Sequence, residues 1–147
     1  MYRIRNNQPE VLLVHPGGPF WQKKDAGAWT IPKGEIEEGE TDELAVAKRE
    51  FEEETGLRPE GNFIALTSIK QKGGKTVAAW ALEGDFDTSK LKSNTFRMPW
   101  PPRSEELQEF PEVDRAQWFS PAEARLKINP AQIPLIEELI EILKTKG

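Results

Sequence analysis

Lys48-Arg49-Glu50-Phe51-Glu52-Glu53-Glu54-Thr55-Gly56-Leu57 is the stretch that decides how this chain of 147 residues is interpreted. In a helix, at about 100° per residue, Glu50, Glu53 and Glu54 fall within an arc of about 100°. Glu52 falls nearly opposite and faces solvent. Like charges at this spacing destabilise a bare helix, and a hard cation such as Mg²⁺, which prefers oxygen ligands, would remove the repulsion. The helix alone still slightly favours the plainer interpretation, an acidic face exposed to solvent.

The residues around this stretch set the limits of the predicted helix. It should run over residues 42–55, because Asp42 and Glu43 suit its first turn and Gly56 suits its C-terminal end. A stripe of apolar residues lies beside the acidic arc and predicts that the helix is anchored to a core: Leu44, Ala47 and Phe51.

The rest of the chain alternates short apolar runs with turn residues, which is typical of strands. The predicted strands cover residues 10–15, 29–31, 62–71, 75–83 and 116–119, the third and fourth forming a hairpin around Gly73-Gly74. A short helix should begin at Ser120 and an amphipathic helix should cover residues 132–144. Residues 85–109 are long and proline-rich for a connection, which favours a functional loop or lid. This order indicates an α/β fold with a mixed sheet between helices.

Composition and charge exclude several classes of protein. The length fits one domain over residues 1–147, and no apolar run approaches the roughly 20 residues that span a bilayer. The net charge of −5 argues against a sequence-independent grip on a nucleic acid polymer. Because the chain has no cysteine, it has neither disulfides nor a thiolate site. We expect a cytoplasmic protein without a membrane partner.

Two separated segments together resemble the Nudix box. Gly34-Glu35-Ile36-Glu37-Glu38-Gly39-Glu40 precedes the acidic helix, as in the family pattern of a glycine, five residues, a glutamate, seven residues and then Arg-Glu-hydrophobic-x-Glu-Glu-x-Gly-hydrophobic. Both flanks are also similar to the family: Ala28-Trp29-Thr30-Ile31-Pro32-Lys33-Gly34 leads into the box, and Trp118-Phe119-Ser120-Pro121-Ala122-Glu123-Ala124 resembles its late strand–helix junction. The box itself departs from the family pattern in one place, since residues 41–48 are eight positions where the family has seven. We predict that Thr41-Asp42 absorbs the extra residue and that the helix is unbroken from about Leu44.

The resemblance implies a Nudix-type α/β/α sandwich and a metal-dependent active site. Mg²⁺ or Mn²⁺ would be bound by Glu50, Glu53 and Glu54, with a backbone carbonyl near Gly34. Arg49 would orient a carboxylate, and the catalytic residues would be Glu50, Arg49 and Glu53, with Glu50 the first candidate for the general base. The base of this family is not always inside the box, so three later acids stay open: Glu105, Glu106 and Glu109. Of these, Glu109 is the one we expect to make a further metal contact.

Substrate contacts are expected outside the box. Lys33 sits at the loop edge and is a candidate for a phosphate contact, although a plain surface lysine is almost as consistent. Trp100 is the candidate that we place near a base, and Trp21 and Trp80 are further stacking candidates. His15 follows a buried strand and is assigned a structural role. The remaining large aromatic residues are assigned to packing: Phe20, Trp29, Phe51 and Trp118.

The function implied by the resemblance is hydrolysis of a diphosphate linkage in a small nucleotide-like substrate. The candidates are a dinucleoside polyphosphate, a nucleoside triphosphate or another compound linked to a nucleoside diphosphate. Two alternatives stay open: a non-catalytic Nudix domain that binds a nucleotide or a protein, and a generic acidic helix that binds a cation. The second does not explain the upstream loop. A homodimer is also left open.

Overall fold

A computed structural model describes residues 1–33, 42–70, 74 and 76–146. Within these ranges the strands are β1 (Tyr2–Arg5), β2 (Gln8–Pro16), β3 (Phe63–Ala65), β4 (Ile69–Lys70), β5 (Thr76–Val77), β6 (Trp80–Leu82), β7 (Thr95–Pro99), β8 (Leu107–Pro111) and β9 (Val113–Phe119). The helices are α1 (Glu43–Thr55), α2 (Pro121–Lys127) and α3 (Ile133–Lys146). None of the described helices is long and apolar enough to cross a membrane.

The central sheet is built on β2, which pairs antiparallel with β1 on one side and with β9 on the other. A parallel bridge between Tyr2 and Glu83 extends it at the β1 edge, and an antiparallel bridge joins Thr30 to Val14 of β2. The sheet is therefore mixed, as expected. The predicted strand at residues 29–31 is reduced to two isolated bridges, and the predicted hairpin over residues 62–83 consists of two short pairs, β3–β6 and β4–β5.

Alternation along β2 places the sheet between two layers of helices. Val11 and Leu13 belong to a buried cluster that includes residues of α2 and α3. Leu12, on the opposite face, packs with Phe51 of α1 and with Phe86. Because successive side chains of a strand point to opposite faces, one strand supplies both halves of the core. The expected α/β/α sandwich is confirmed.

Helix α1 begins and ends at the residues that the sequence indicates. The Asp42 side chain accepts a hydrogen bond from the Ala45 N–H at 3.1 Å and caps the N-terminus. Gly56 has φ +84°, the left-handed conformation of a helix C-cap, and its N–H donates to the Glu52 carbonyl at 2.7 Å. The helix is unbroken from Glu43, which confirms that part of the prediction. The proposed position of the extra residue, Thr41, lies outside the described residues.

Residues 85–109 differ from the expected irregular loop. They contain a short 3₁₀ helix, Thr88–Lys90, and most of an antiparallel hairpin in which Phe96 pairs with Phe110. The signal for a strand is the alternation of partly buried Phe96 and Met98 with exposed neighbours. The flanking prolines lie near the strand ends, where the missing N–H is tolerated, and they obscured that alternation.

Candidate metal and phosphate site

The acidic face of α1 overlaps the side of the helix that packs on the core, since Val46 falls within the acidic arc and Phe51 falls about 60° from Glu54. Val46 and Phe51 are buried in the core. Glu50 and Glu53 are partly exposed, Glu54 is only 8% exposed, and Glu52 faces solvent. The structure therefore separates Glu52 from the other three acids, as the helical geometry predicts.

Glu54 is the most buried carboxylate of this face. Its Oε2 accepts a hydrogen bond from the backbone N–H of Lys33 at 2.9 Å, which links α1 to the segment that leads into residue 34. Burial raises the pKa of Glu54 to about 8, with the Lys33 hydrogen bond opposing and the negative charges of Glu50 and Glu112 adding to the shift. Three acids therefore share one region of negative potential.

Arg49 is a cation beside two of these acids. Its Nη2 donates to Glu50 Oε1 at 3.1 Å, and its Nε lies 3.8 Å from Glu53 Oε1. The contact with Glu50 agrees with the expected role of orienting a carboxylate through a charge-assisted hydrogen bond.

Glu112 is a fourth carboxylate at this site, and the sequence did not single it out. Burial raises the pKa of Glu112, and the charges of Glu50 and Glu53 raise it further. Its backbone is held by two hydrogen bonds: its N–H donates to the Asn94 carbonyl, and its carbonyl accepts from the Gly17 N–H, both at 2.8 Å. The Asn94 N–H in turn donates to the Glu53 carbonyl at 2.7 Å. The base of the β7–β8 hairpin is thus attached to the last turn of α1.

Glu109, the acid expected to reach the metal, lies on the hairpin itself. It accepts a hydrogen bond from the Thr95 hydroxyl at 2.7 Å and lies 3.9 Å from Arg97. Glu105 and Glu106 are exposed in the turn that precedes β8. Electrostatic contact with the box acids therefore favours Glu112 among the acids that follow the box.

A cavity of about 650 Å³ lies beside α1. The side of α1 that lines it carries Leu44, Ala47 and Phe51, next to Glu54 around the helix. Lys33 also lines the cavity, so the residue whose N–H binds Glu54 connects the two features. Trp80, one of the stacking candidates, lies in the cavity wall.

The other aromatic candidates lie outside this cavity. Trp100 is partly buried and meets Phe20 edge-on, with ring centroids 5.5 Å apart. Phe20 is 59% exposed, so the expectation that it packs in the interior is wrong. The reason is local, because Phe20 follows the turn that ends β2 and has left the sheet. The other three packing assignments are confirmed: Trp29 and Phe51 are buried, and Trp118 packs on the α1 side and donates to the Phe86 carbonyl.

His15 has a structural environment, as predicted. It is fully buried, and its Nε2 lies 2.6 Å from the Lys24 carbonyl, which can only accept, so Nε2 carries a hydrogen. Its Nδ1 lies 2.8 Å from the Asp114 carboxylate. His15 therefore fastens residues 17–24 to β9.

Comparison with known proteins agrees with this site. The family model described as the NUDIX domain matches residues 1–139. The chain belongs to the Nudix family. An RNA pyrophosphohydrolase of Aeromonas hydrophila is 31% identical over 130 residues, which cover 80% of this chain and 70% of that protein. An asymmetrical bis(5'-nucleosyl)-tetraphosphatase of Rattus norvegicus is 41% identical over 92 residues, 58% of each chain.

The fold of solved Nudix proteins is similar as well. The crystal structure of an Ap4A hydrolase from C. elegans, in a binary complex, superposes with a TM-score of 0.61 and 22% identity, over 98% of this chain and 93% of that one. With its pyrophosphohydrolase relatives, the Nudix family assignment makes this chain a hydrolase of phosphorus-containing anhydrides.

Nudix hydrolases generally use divalent metal ions, and the donor set fits such an ion. Within the described ranges no three His, Asp or Glu side chains are arranged to hold a metal as they stand. Arg49 contacts Glu50 and lies close to Glu53, and Gly34 lies outside the described residues. The chemistry nevertheless fits, because the clustered groups are carboxylates, the ligands of hard divalent cations, and a buried carboxylate such as Glu54 is stabilised when a cation faces it.

Proposed function

We propose that this Nudix hydrolase cleaves a diphosphate linkage in a nucleoside diphosphate-linked substrate and requires Mg²⁺ or Mn²⁺. The observation that carries the proposal is the negative potential that Glu50, Glu53, Glu54 and Glu112 share, next to a helix that also lines a cavity of nucleoside size. A polyanionic diphosphate cannot approach four acids unless cations lie between them.

The metal ligands would be these four carboxylates, with the Gly34 carbonyl as a further candidate. A bound divalent ion would polarise the phosphorus centre and lower the pKa of the attacking water. Arg49 holds Glu50 in place through its hydrogen bond, and Glu50 is our first candidate for the general base. Glu109 stays a prediction as a metal contact, and Glu112 has the better electrostatic support.

The cavity would bind the nucleoside. Its volume of about 650 Å³ falls within the ordinary range of small-molecule pockets, roughly 300–1,000 Å³. Two cations line it: Lys33, next to Glu54, and Lys48, whose Nζ lies 4.6 Å from the ring centroid of Phe63. Lys33 would contact a phosphate while the apolar wall contacts the base.

Two substrate classes are candidates because relatives carry their names. The rat relative is named for nucleosyl tetraphosphates and the Aeromonas relative for RNA. We favour a dinucleoside polyphosphate, since the net charge of −5 is unlike the basic balance of proteins that grip nucleic acid polymers. A non-catalytic Nudix domain is disfavoured because all the acids of the second half of the box are present.

A substrate panel tests the proposal. Purified protein with Mg²⁺ is offered diadenosine tetraphosphate, nucleoside triphosphates, ADP-ribose, sugar nucleotides and 5′-triphosphorylated RNA, and the released phosphate compounds are separated by chromatography. We expect turnover of at least one compound and its loss with excess chelator. Tight nucleotide binding without turnover of any compound would instead identify a binding domain.

A further inference from the structure

Two aromatic side chains, Phe20 and Trp100, are in contact at the far end of the β7–β8 hairpin, and Trp21 follows Phe20 in the chain. We call these three residues the distal aromatic cluster. Phe20 is 59% exposed and Trp21 is 40% exposed. Phe20 and Trp100 meet edge-on at 86°, so a face of each ring is turned away from the other ring. Exposed rings at this density are uncommon on a surface without a ligand or a partner.

The hairpin holds Trp100 in a defined position. The amide Nε2 of Gln108 donates to the Trp100 carbonyl at 2.8 Å, across the two strands. Below it, Phe96 and Phe110 pack with ring centroids 6.0 Å apart. The Ser104 N–H closes the turn on the Pro101 carbonyl at 2.9 Å. Because the hairpin already fixes the backbone of Trp100, the ring loses little conformational entropy when a ligand stacks on it.

The segment that carries Phe20 and Trp21 is fixed equally closely against the hairpin. A Cβ at Gly17 would lie 2.0 Å from the Pro111 carbonyl oxygen, so only glycine fits where the two backbones touch. Gly18, at φ +100°, lies against Phe96. At the other end of the segment, His15 holds the Lys24 carbonyl. Phe20 and Trp21 are therefore presented by a braced loop.

The last turn of α1 is connected to both features. Glu54 adjoins the cavity through Lys33, and the Glu53 carbonyl binds Asn94 at the base of the hairpin. From Asn94 to Trp100 the chain advances six residues, largely extended, or about 20 Å at 3.3 Å per residue. One place for an apolar base lies on the cavity side of the phosphate site, and a second lies along the hairpin.

We propose that the distal aromatic cluster binds a second nucleobase of the substrate. The inference rests on the proposed function and deepens it, because it selects substrates with two bases over those with one base. A cation accompanies the rings: Lys24 Nζ lies 5.0 Å from the Trp21 ring centroid and is placed to meet a phosphate or ribose oxygen near a stacked base. Base–aromatic stacking contributes roughly 1–3 kcal/mol per base and tolerates any base.

A second copy of this chain fits the cluster less well. A stable protein interface buries about 800 Å² on each partner, whereas each aromatic side chain contributes about 150–250 Å² when fully buried. The cluster has three such side chains, all of them already partly covered. The apolar area that these side chains still expose is therefore closer to the area of a planar ring than to that of a protein interface.

Equilibrium binding tests the proposal without depending on turnover. The ligands are diadenosine tetraphosphate with methylene groups replacing its bridging oxygens, the matching analogue with a single adenosine, and a 5′-triphosphorylated dinucleotide, each with Mg²⁺. The variants Phe20→Leu and Trp100→Leu remove a ring and keep an apolar side chain, while Phe20→Tyr and Trp100→Phe keep a ring. Leu107→Ala, at an aliphatic residue 61% exposed on the same hairpin, is the control.

We expect each leucine variant to weaken binding of a two-base ligand roughly 5- to 150-fold, as stacking energies imply, and to leave the one-base ligand unchanged. The ring-keeping variants and Leu107→Ala should bind like wild type. The two-base ligand whose binding the leucine variants weaken identifies whether the second base belongs to a dinucleoside polyphosphate or to RNA.

Equal losses for one-base and two-base ligands, or no loss, would overturn the second subsite. A dimer in sedimentation that Phe20→Leu dissolves would also overturn it. Hydrolysis of the unmodified compounds is measured separately, so that failure of the proposed function is distinguishable from failure of the subsite.

Discussion

Glu52 and Glu53 are neighbours on α1 that face different sides of the helix, so their substitution by glutamine forms a matched pair. Glu53→Gln should lower kcat by about 100-fold or more, since even groups that merely orient metal ligands are worth 10–100-fold. Glu52→Gln, which is exposed on the opposite side, should be nearly silent. Both variants should melt within a few degrees of wild type. Equal losses of activity would show that the helical face does not organise the site.

Glu112 and Glu109 form a second pair that decides which later acid serves the metal. Glu112→Gln should raise the Mg²⁺ concentration needed for half-maximal activity and lower kcat, because Glu112 shares the potential of Glu50 and Glu53. Glu109→Gln should affect only its contacts with Thr95 and Arg97 on the hairpin. Metal titrations of activity in the two variants measure this. The reverse result would restore Glu109 to the role expected from the sequence.

At the level of secondary structure, close backbone contact between residue 17 and β8 fixes the hairpin in place. Gly17→Ala would force a Cβ to within 2.0 Å of the Pro111 oxygen, so a backbone must shift. Overpacking of this kind costs about 1–3 kcal/mol, or roughly 3–10 °C in Tm for a chain of this length. Gly84→Ala is the control, because its nearest neighbour is the flexible end of the Met1 side chain at 3.1 Å. Matching thermal melts of the two variants would show that the contact is unimportant.

The elements that were predictable from the sequence are those whose signals are local. Asp42 and Gly56 mark the two ends of helix α1, and Ser120 and Pro121 mark the beginning of α2. The β7–β8 hairpin was missed because prolines at its strand ends obscured the alternation of Phe96 and Met98. The position of the hairpin depends on contacts with Gly17 and with α1, and no local sequence pattern contains these contacts.

In the candidate site, too, only the features with local signals were predictable from the sequence. The acids of α1 share a face because of helical geometry, which a sequence displays directly. Glu112 approaches them only because two hydrogen bonds join Asn94 to Glu53 and to Glu112 itself. Phe20 meets Trp100 through the packing of residue 17 against the hairpin. Both depend on tertiary contacts between residues far apart in the chain.

At the scale of the whole molecule, Arg3 joins the first strand to the far side of the sheet. Its guanidinium donates to Glu10 and to Asp85, both at 2.7 Å, and stacks 4.2 Å from the Trp118 ring centroid. The hydrogen bond from Arg3 lowers the pKa of Asp85. A lowered folded-state pKa contributes stability that is present above the unfolded pKa, about 3.9, and is lost as pH falls through the folded value.

Asp85→Asn should therefore lower Tm at pH 7, by a small amount because Asp85 is exposed. The difference from wild type should shrink as the pH falls below about 4. Melting both proteins across a pH series measures it. A difference that is constant with pH would attribute the effect to the hydrogen bond of Phe86 N–H with Asp85 rather than to its charge.

The whole molecule should also respond to the metal, because several acids repel one another in its absence. An ion that binds the folded state at 100 times its Kd stabilises it by about 2.7 kcal/mol, or roughly 5–10 °C in Tm. We expect Mg²⁺ to produce such a shift in wild type and in Glu52→Gln, and a much smaller one in Glu53→Gln. Sodium chloride at matched ionic strength is the control, since it screens exposed charges and fills no coordination site. An equal shift with sodium would mean that the acids form only a screened surface, and the role proposed for Glu50, Glu53 and Glu54 would fail with it.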